Sequence, residues 1–297
     1  MRLFSKNALT LFGLIVYMGL ISCEKDSQLL QPDNGQGSGN GTTRPTQTTE
    51  NGPIIMVPGG TIQVTPVLVK YGHWQLSYNA KGDLEKLQSS VDPTLYREYS
   101  RASNGTGMTI MDYNGGKMKG KTLILFDAKG RCKESYVTSY GIANGQVTTS
   151  TKRFNYYYNA NNQLEKIMDQ DNNQRYDLFT YTNTGNLWQV KRYNNGHKFT
   201  MTYWVDAVGI PAVTDKNHLN ALWFEHADQV DEFLPIYGKF RKQLVYKFEN
   251  IDVVNGTSVD QVYYSYKLNN AGYITEKEDT RYTAGQTVKD TYVFGYK

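Results

Sequence analysis

Phe154-Asn155-Tyr156-Tyr157-Tyr158-Asn159-Ala160-Asn161-Asn162-Gln163-Leu164-Glu165-Lys166-Ile167 is the stretch whose reading decides the fold. Its first five residues place aromatics at alternate positions, the period of a strand with one buried face. Five residues later Asn162 sits where a short loop between antiparallel strands needs positive φ, which glycine and asparagine tolerate best. A second, more charged strand follows from Leu164. The unit is a hairpin: an aromatic or aliphatic residue, three polar or small residues, glycine or asparagine, any residue, then an apolar one.

The unit recurs. Tyr78 to Leu84, Phe126 to Cys132, Tyr181 to Leu187 and Leu268 to Ile274 carry it, with Gly82, Gly130, Gly185 and Gly272 at the turn position. Val205 to Pro211 is a degenerate copy. Repetition at this scale means that each copy is one supersecondary unit, unable to bury its apolar face alone. The flanks Trp74-Gln75-Leu76-Ser77-Tyr78 and Phe179-Thr180-Tyr181 alternate in the same way. The expected fold is therefore mainly all-β, an antiparallel meander.

Phe126-Asp127-Ala128-Lys129-Gly130-Arg131 resembles the YD repeat of Rhs-type proteins, and the span from Trp74 onward resembles a family of Bacteroidetes lipoproteins built from a few such repeats. The resemblance implies a β-meander and brings no catalytic residues with it. Aspartate follows the aromatic only at Asp127, and arginine follows the glycine only at Arg131, so an open, curved sheet is expected rather than a large closed shell. One segment breaks the period: Leu219, Leu222, Trp223, His226, Val230 and Phe233 fall at helical spacing, with Asp215 or Asn217 as a possible N-cap. A helix over 216–233, covering one face or end of the sheet, is expected.

Ahead of the repeats stands a leader. Arg2 and Lys6 precede an uncharged apolar run from Ala8 to Ile21, and Leu20-Ile21-Ser22-Cys23 closes it. This tripartite form is a signal peptide over 1–22, and its apolar run is shorter than the ~20 residues a spanning helix needs. The last four residues resemble the lipobox of bacterial lipoproteins, which implies a diacylglyceryl group on Cys23. Glu24-Lys25-Asp26 resembles the surface-export signal of Bacteroidetes lipoproteins, so the expected address is the outer membrane, on its cell-surface or periplasmic face. Residues 23–53 are rich in Gly, Asn, Gln, Thr and Ser; they cannot bury enough apolar surface to offset the entropy of ordering. They read as a lipid-anchored flexible tether, and 54–297 as the folded domain.

Composition narrows the chemistry. The formal net charge of +4 includes Arg2 and Lys6 and drops by two, to +2, when the leader is removed. With no cluster of Lys and Arg, a nucleic-acid partner is not expected. There are two cysteines, Cys23 and Cys132, which leaves no intramolecular disulfide once the first is lipidated. Cys132 occupies the apolar slot of a repeat and reads as core. His218, Glu225, His226 and Asp228 lack a His-Glu-x-x-His spacing. Asp169, Asp171, Asn173 and Asp177 imitate the start of an EF-hand, but Gln174 stands where glycine belongs and Thr180 where glutamate belongs; a charged hairpin turn fits better. No nucleophile elbow, Walker loop or dinucleotide fingerprint occurs in the folded region. Neither a catalytic residue nor a metal or other cofactor is expected.

What remains is aromatic richness: 24 Tyr, 11 Phe and 4 Trp. Rings on a solvent-facing sheet can stack on sugars, and Trp74, Trp188 and Trp204 are the candidate ligand-binding residues. The leading expectation is a non-enzymatic, lipid-anchored envelope protein that presents an aromatic-rich sheet to glycan or to another envelope protein. The alternative is a structural or assembly component without a soluble ligand, and the third is a polysaccharide hydrolase, which needs two carboxylates about 5–10 Å apart in a cleft.

Overall fold

The computed structural model describes residues 56–57, 60–61, 66–143, 146–205, 212–217, 229–283 and 286–297. The leader, the Cys23 lipidation site and nearly all of the tether-side sequence lie outside these residues, as does the degenerate repeat beyond Val205. A two-residue pair, β1 (Met56–Val57) with β2 (Gly60–Thr61), precedes the main body.

Sixteen described strands form that body. They are β3 (Leu68–Tyr71), β4 (Trp74–Tyr78), β5 (Leu84–Ser89), β6 (Tyr96–Arg101), β7 (Gly107–Asn114), β8 (Lys117–Phe126), β9 (Cys132–Ala143) and β10 (Gln146–Tyr158). Then follow β11 (Leu164–Asp169), β12 (Arg175–Tyr181), β13 (Leu187–Asn194), β14 (His197–Trp204), β15 (Lys247–Asp252), β16 (Thr257–Leu268), β17 (Ile274–Thr283) and β18 (Gln286–Tyr296). Each pairs antiparallel with its neighbours in sequence, and β18 returns to β3 through Phe294↔Tyr71, Gly295↔Lys70 and Tyr296↔Leu68. The sheet is a closed barrel. The expectation of an open curved sheet is overturned. The reason is physical: closure pairs the backbone groups of both edge strands, which an open sheet leaves exposed to association.

The repeats form the hairpins that their sequence requires. Gly82, Gly130, Asn162, Gly185 and Gly272 all have φ between 60° and 86°, and each donates its amide to the carbonyl three residues back, as in Gly130 N to Asp127 O at 3.0 Å. The second residue of a unit supplies the cap: Asp127 Oδ1 accepts from the amides of Lys129 and Arg131 at 2.8 and 2.9 Å. A register shift precedes every one of these turns, between Tyr157 and Tyr158 for example. Tyrosine as the first residue, and Tyr296 on the last strand, have a further role. Tyr158 Oη donates to the carbonyl of Cys132, Tyr181 to that of Leu164 and Tyr296 to that of Ile274, at 2.7, 2.8 and 2.7 Å. In each case the acceptor is the seventh residue of the preceding unit, so hydroxyl groups tie unit to unit around one end of the wall.

A barrel of this strand number encloses a lumen, and here the connection between β14 and β15 fills it. Val230, Leu234, Ile236, Tyr237, Phe240 and Leu244 are buried in one core with Leu76, Tyr99, Ile124, Phe154, Ile167, Val190 and Val262 of the wall. The helix expected over 216–233 is not found in its described parts. Residues 216–217 and 229–233 are irregular, and the only regular turn there is a 3₁₀ turn at Pro235–Tyr237; 218–228 lie outside the described residues. The apolar residues of this segment need no helical face, because a chain threaded through a lumen meets the wall on every side.

A plugged lumen, an apolar cavity and an outer aromatic strip

The plug is held by wall side chains from around the circumference. Tyr99 Oη donates to Asp231 Oδ2 at 2.9 Å, beside Arg97 Nη1 at 2.8 Å from the same oxygen. On β10, Tyr156 Oη donates to the Gln229 carbonyl at 2.6 Å, and Tyr158 Oη, whose proton goes to the nearer Cys132 carbonyl, lies 3.3 Å from that of Ile236. Tyr266 Oη reaches the Val245 carbonyl at 2.6 Å. Asn186, almost wholly buried in a repeat turn, accepts from the amides of Lys242 and Gln243 and donates to Gln243 Oε1. Buried polar groups without partners cost stability; here the plug's irregular backbone is satisfied by the wall.

The two ends of the lumen differ. At the end of the repeat turns the inward positions are apolar, as in Leu84, Cys132, Leu164, Leu187 and Ile274. Toward the other end they are charged and paired: Arg192 with Asp177 at 3.1 Å, Lys277 with Asp279 at 3.1 Å, and Arg175 with Asp169 at 3.9 Å. Burial raises the Asp177 carboxyl above its ordinary range, with Arg192 pulling the other way, and burial lowers Lys277 against the pull of Asp279. Glu232 on the plug is pushed up to about 7 by burial first and by neighbouring Asp231 second. Asp169 Oδ1 accepts from the amides of Asp171 and Asn172, capping the turn between β11 and β12, while Asp177 points inward to Arg192. The EF-hand imitation is thus dispersed between a turn and the lumen. Among the described residues no three His, Cys, Asp or Glu side chains gather as a metal site. His218, Glu225, His226 and Asp228 lie outside them. Cys132 is fully buried and its thiol is raised by desolvation, away from the thiolate form.

An apolar cavity of about 360 Å³ opens at the repeat-turn end, between the plug and the wall formed by β3 to β7. Leu68, Leu76, Leu84, Met108, Phe233 and Leu234 line it, and Arg101, Asp83 and Lys216 stand at its polar side. Arg101 is ion-paired with Asp83 at 2.8 Å. Lys216 Nζ donates to the Ala271 carbonyl at 2.7 Å and has no carboxylate partner among the described residues. Sequence reasoning missed the plug and this cavity. A signal existed: every other connection in the meander is short, whereas 205–246 is long and carries its own aliphatic and aromatic residues.

Outward positions alternate with the core. They carry Lys86 across from Glu98, Arg153 beside Glu134 at 3.6 Å, Lys267 paired with Glu276 at 2.7 Å and Lys289 with Glu278 at 2.8 Å. The three tryptophans do not form one site. Trp74 faces the core and its ring sits against His73 at 4.7 Å. Trp188, near the start of β13, and Trp204, at the end of β14, are each about two-fifths exposed. Lys247 lies over Trp204 at 5.9 Å and over Tyr263 at 5.7 Å, and Tyr263 meets Tyr282 edge-on at 5.6 Å. This makes a strip of exposed rings across β13 to β17.

These features define a class: a sixteen-stranded meander barrel, closed by its terminal strands and plugged by an internal connection. No protein-family model matches the sequence, and no curated protein matches it. Solved structures do. A porin-like protein from Bacteroides vulgatus aligns with a TM-score of 0.54 at 14% identity, over 77% of this chain and 98% of that one. A porin-like protein from Bacteroides uniformis aligns with a TM-score of 0.49 at 16% identity, over 75% and 88%. At this identity the likeness is one of fold.

Proposed function

We propose that the chain is a non-enzymatic outer-membrane lipoprotein whose barrel stands in water, tethered by lipid on Cys23, and works as a binding module rather than as a pore. The observation that carries this reading is the polarity of the wall. A bilayer-spanning barrel has an apolar outer band about 25 Å tall and a polar interior, and a lysine or arginine on its lipid face costs roughly 2–4 kcal/mol near the midplane. This barrel carries cross-strand Lys/Glu pairs on its outer face, and its interior, apolar at the repeat-turn end and ion-paired at the other, is packed by the plug rather than open. The lipobox resemblance at Cys23 supplies the anchor that such a barrel lacks in its own surface.

Ligand binding is assigned to the outer strip of Trp188, Trp204 and Tyr263, where ring stacking suits glycan and the flanking Lys247 and Glu249 suit polar contacts. A partner protein in the envelope is the other occupant that this strip fits; nucleic acid is not. Two measurements test the reading. Cys23→Ala is expected to move the protein from the membrane to the aqueous fraction, monodisperse without detergent; a variant that stays in membranes and needs detergent overturns the water-facing barrel. On a glycan array, Trp188→Ala with Trp204→Ala is expected to abolish the wild-type signal, and an array silent for the wild type leaves the protein-partner reading, checked by crosslinking from position 204 in cells.

A further inference from the structure

We propose that the apolar cavity at the repeat-turn end is a binding site for a single-chain fatty acid, with its carboxylate at Lys216. This site is separate from the outer aromatic strip and does not depend on where the protein resides. Three observations carry it. The cavity, about 360 Å³, has the size of small-molecule sites. Its wall is mostly apolar, with Leu76, Leu84, Met108 and Leu234 to contact a flexible chain without offering it a hydrogen bond, and the Tyr78 and Tyr296 hydroxyls that also line it are committed to backbone carbonyls. The charges that line it are unequal. Arg101 and Asp83 neutralise each other, while the Lys216 ammonium donates only to a carbonyl and passes within 5.9 Å of the Tyr273 ring.

A ligand that is apolar along its length and anionic at one end satisfies all three. Burial of each methylene adds to the affinity, so chain length is its main source, and the exposed ion pair adds little. The wall of the cavity belongs to β3 to β7, and Phe233, Leu234 and Lys216 belong to the plug. A bound chain therefore bridges the two.

Residues 24–297, which contain the whole closed barrel and its plug, are titrated with dansyl-undecanoic acid, and the probe is then displaced with palmitate and with hexadecanol. Blue-shifted, saturable fluorescence displaced by both is expected, and its absence overturns the proposal. Met108→Trp, which fills the cavity, is expected to weaken the probe by about tenfold or more, and wild-type affinity in a folded Met108→Trp protein overturns the site. Should that variant not fold, surface-exposed Lys216→Glu decides. It is expected to weaken palmitate by about threefold and to leave hexadecanol unchanged; an equal effect on acid and alcohol, or none on either, overturns the placement of the carboxylate.

Discussion

Where a repeat begins with tyrosine, that residue is best understood through its hydroxyl. Tyr158 and Tyr181 each reach the seventh residue of the preceding unit, as does Tyr296 on the last strand, whereas Phe126 follows the turn at 102–106, which does not carry the repeat pattern. A phenylalanine is enough there because no repeat carbonyl waits to be met. Tyr181→Phe is therefore expected to destabilise by about 1–3 kcal/mol, the cost of leaving a part-buried carbonyl unpaired, and Phe126→Tyr to give no matching gain; urea melts of the two proteins check this. The turn glycines belong to the same scale. Gly130 has φ 76° with nothing near a would-be Cβ, so the penalty for a side chain is conformational alone. Gly130→Val is expected to cost about 1–3 kcal/mol and Gly130→Asn much less, as Asn162 at φ 60° illustrates. Glu232 gives a pH dependence. Its carboxyl stays protonated in the folded chain up to about 7, against 4.5 for the ordinary group, so between those values the folded form holds more protons than the unfolded one. Stability then falls as pH rises through that window. Glu232→Gln is expected to raise stability at pH 8 by an amount on the order of 1–3 kcal/mol, read as a higher Tm, and to leave it unchanged at pH 4, where both forms are protonated.

Among elements, the plug governs the most energy. Phe240, almost wholly buried, packs against Phe179 at 5.9 Å, and its carbonyl accepts from the Leu187 amide. Phe240→Ala is expected to cost about 3–5 kcal/mol, more than an alanine at any outward aromatic such as Tyr157, and thermal unfolding by circular dichroism measures the difference. The sequence made the hairpins legible because a turn is local: positive φ, an Asx-type cap and an alternating strand lie within a few residues. The plug was misread as a helix for the converse reason. Val230 and Phe233 are three apart, which fits one face of a helix, yet the first is buried in the general core and the second meets Tyr71 edge-on. Nothing in spacing alone distinguishes a chain buried on one side from a chain buried on all sides.

At the scale of the molecule, closure was illegible for a related reason. The contact that closes the wall joins Tyr71 to Phe294, and neither residue's neighbours in sequence differ from those of an ordinary strand. The candidate ligand residues fared in between. Trp188 and Trp204 share the outer face, as their positions beside repeat turns allow, but Trp74 faces inward, and the cavity was invisible because its lining comes from strands and plug far apart in the chain. The filled lumen makes a functional prediction of its own. With the lumen filled and the outside charged, purified protein added to planar bilayers is expected to give no conductance steps, and discrete channels would contradict the barrel's water-facing reading.

Val67 and Lys297 exchange two backbone hydrogen bonds, at 3.1 and 3.0 Å, so the start and finish of the barrel lie side by side. In topological terms the wall is a ring that happens to be cut there. A circular permutant joined across that point and reopened at Gly115–Gly116, a solvent-exposed turn with both φ positive, keeps every strand pairing. It moves the chain ends to the opposite rim, since β7 and β8 meet at the end away from the repeat turns. In the native order the ends of the wall share their rim with the mouth of the apolar cavity, which Val67 and Tyr296 help to line.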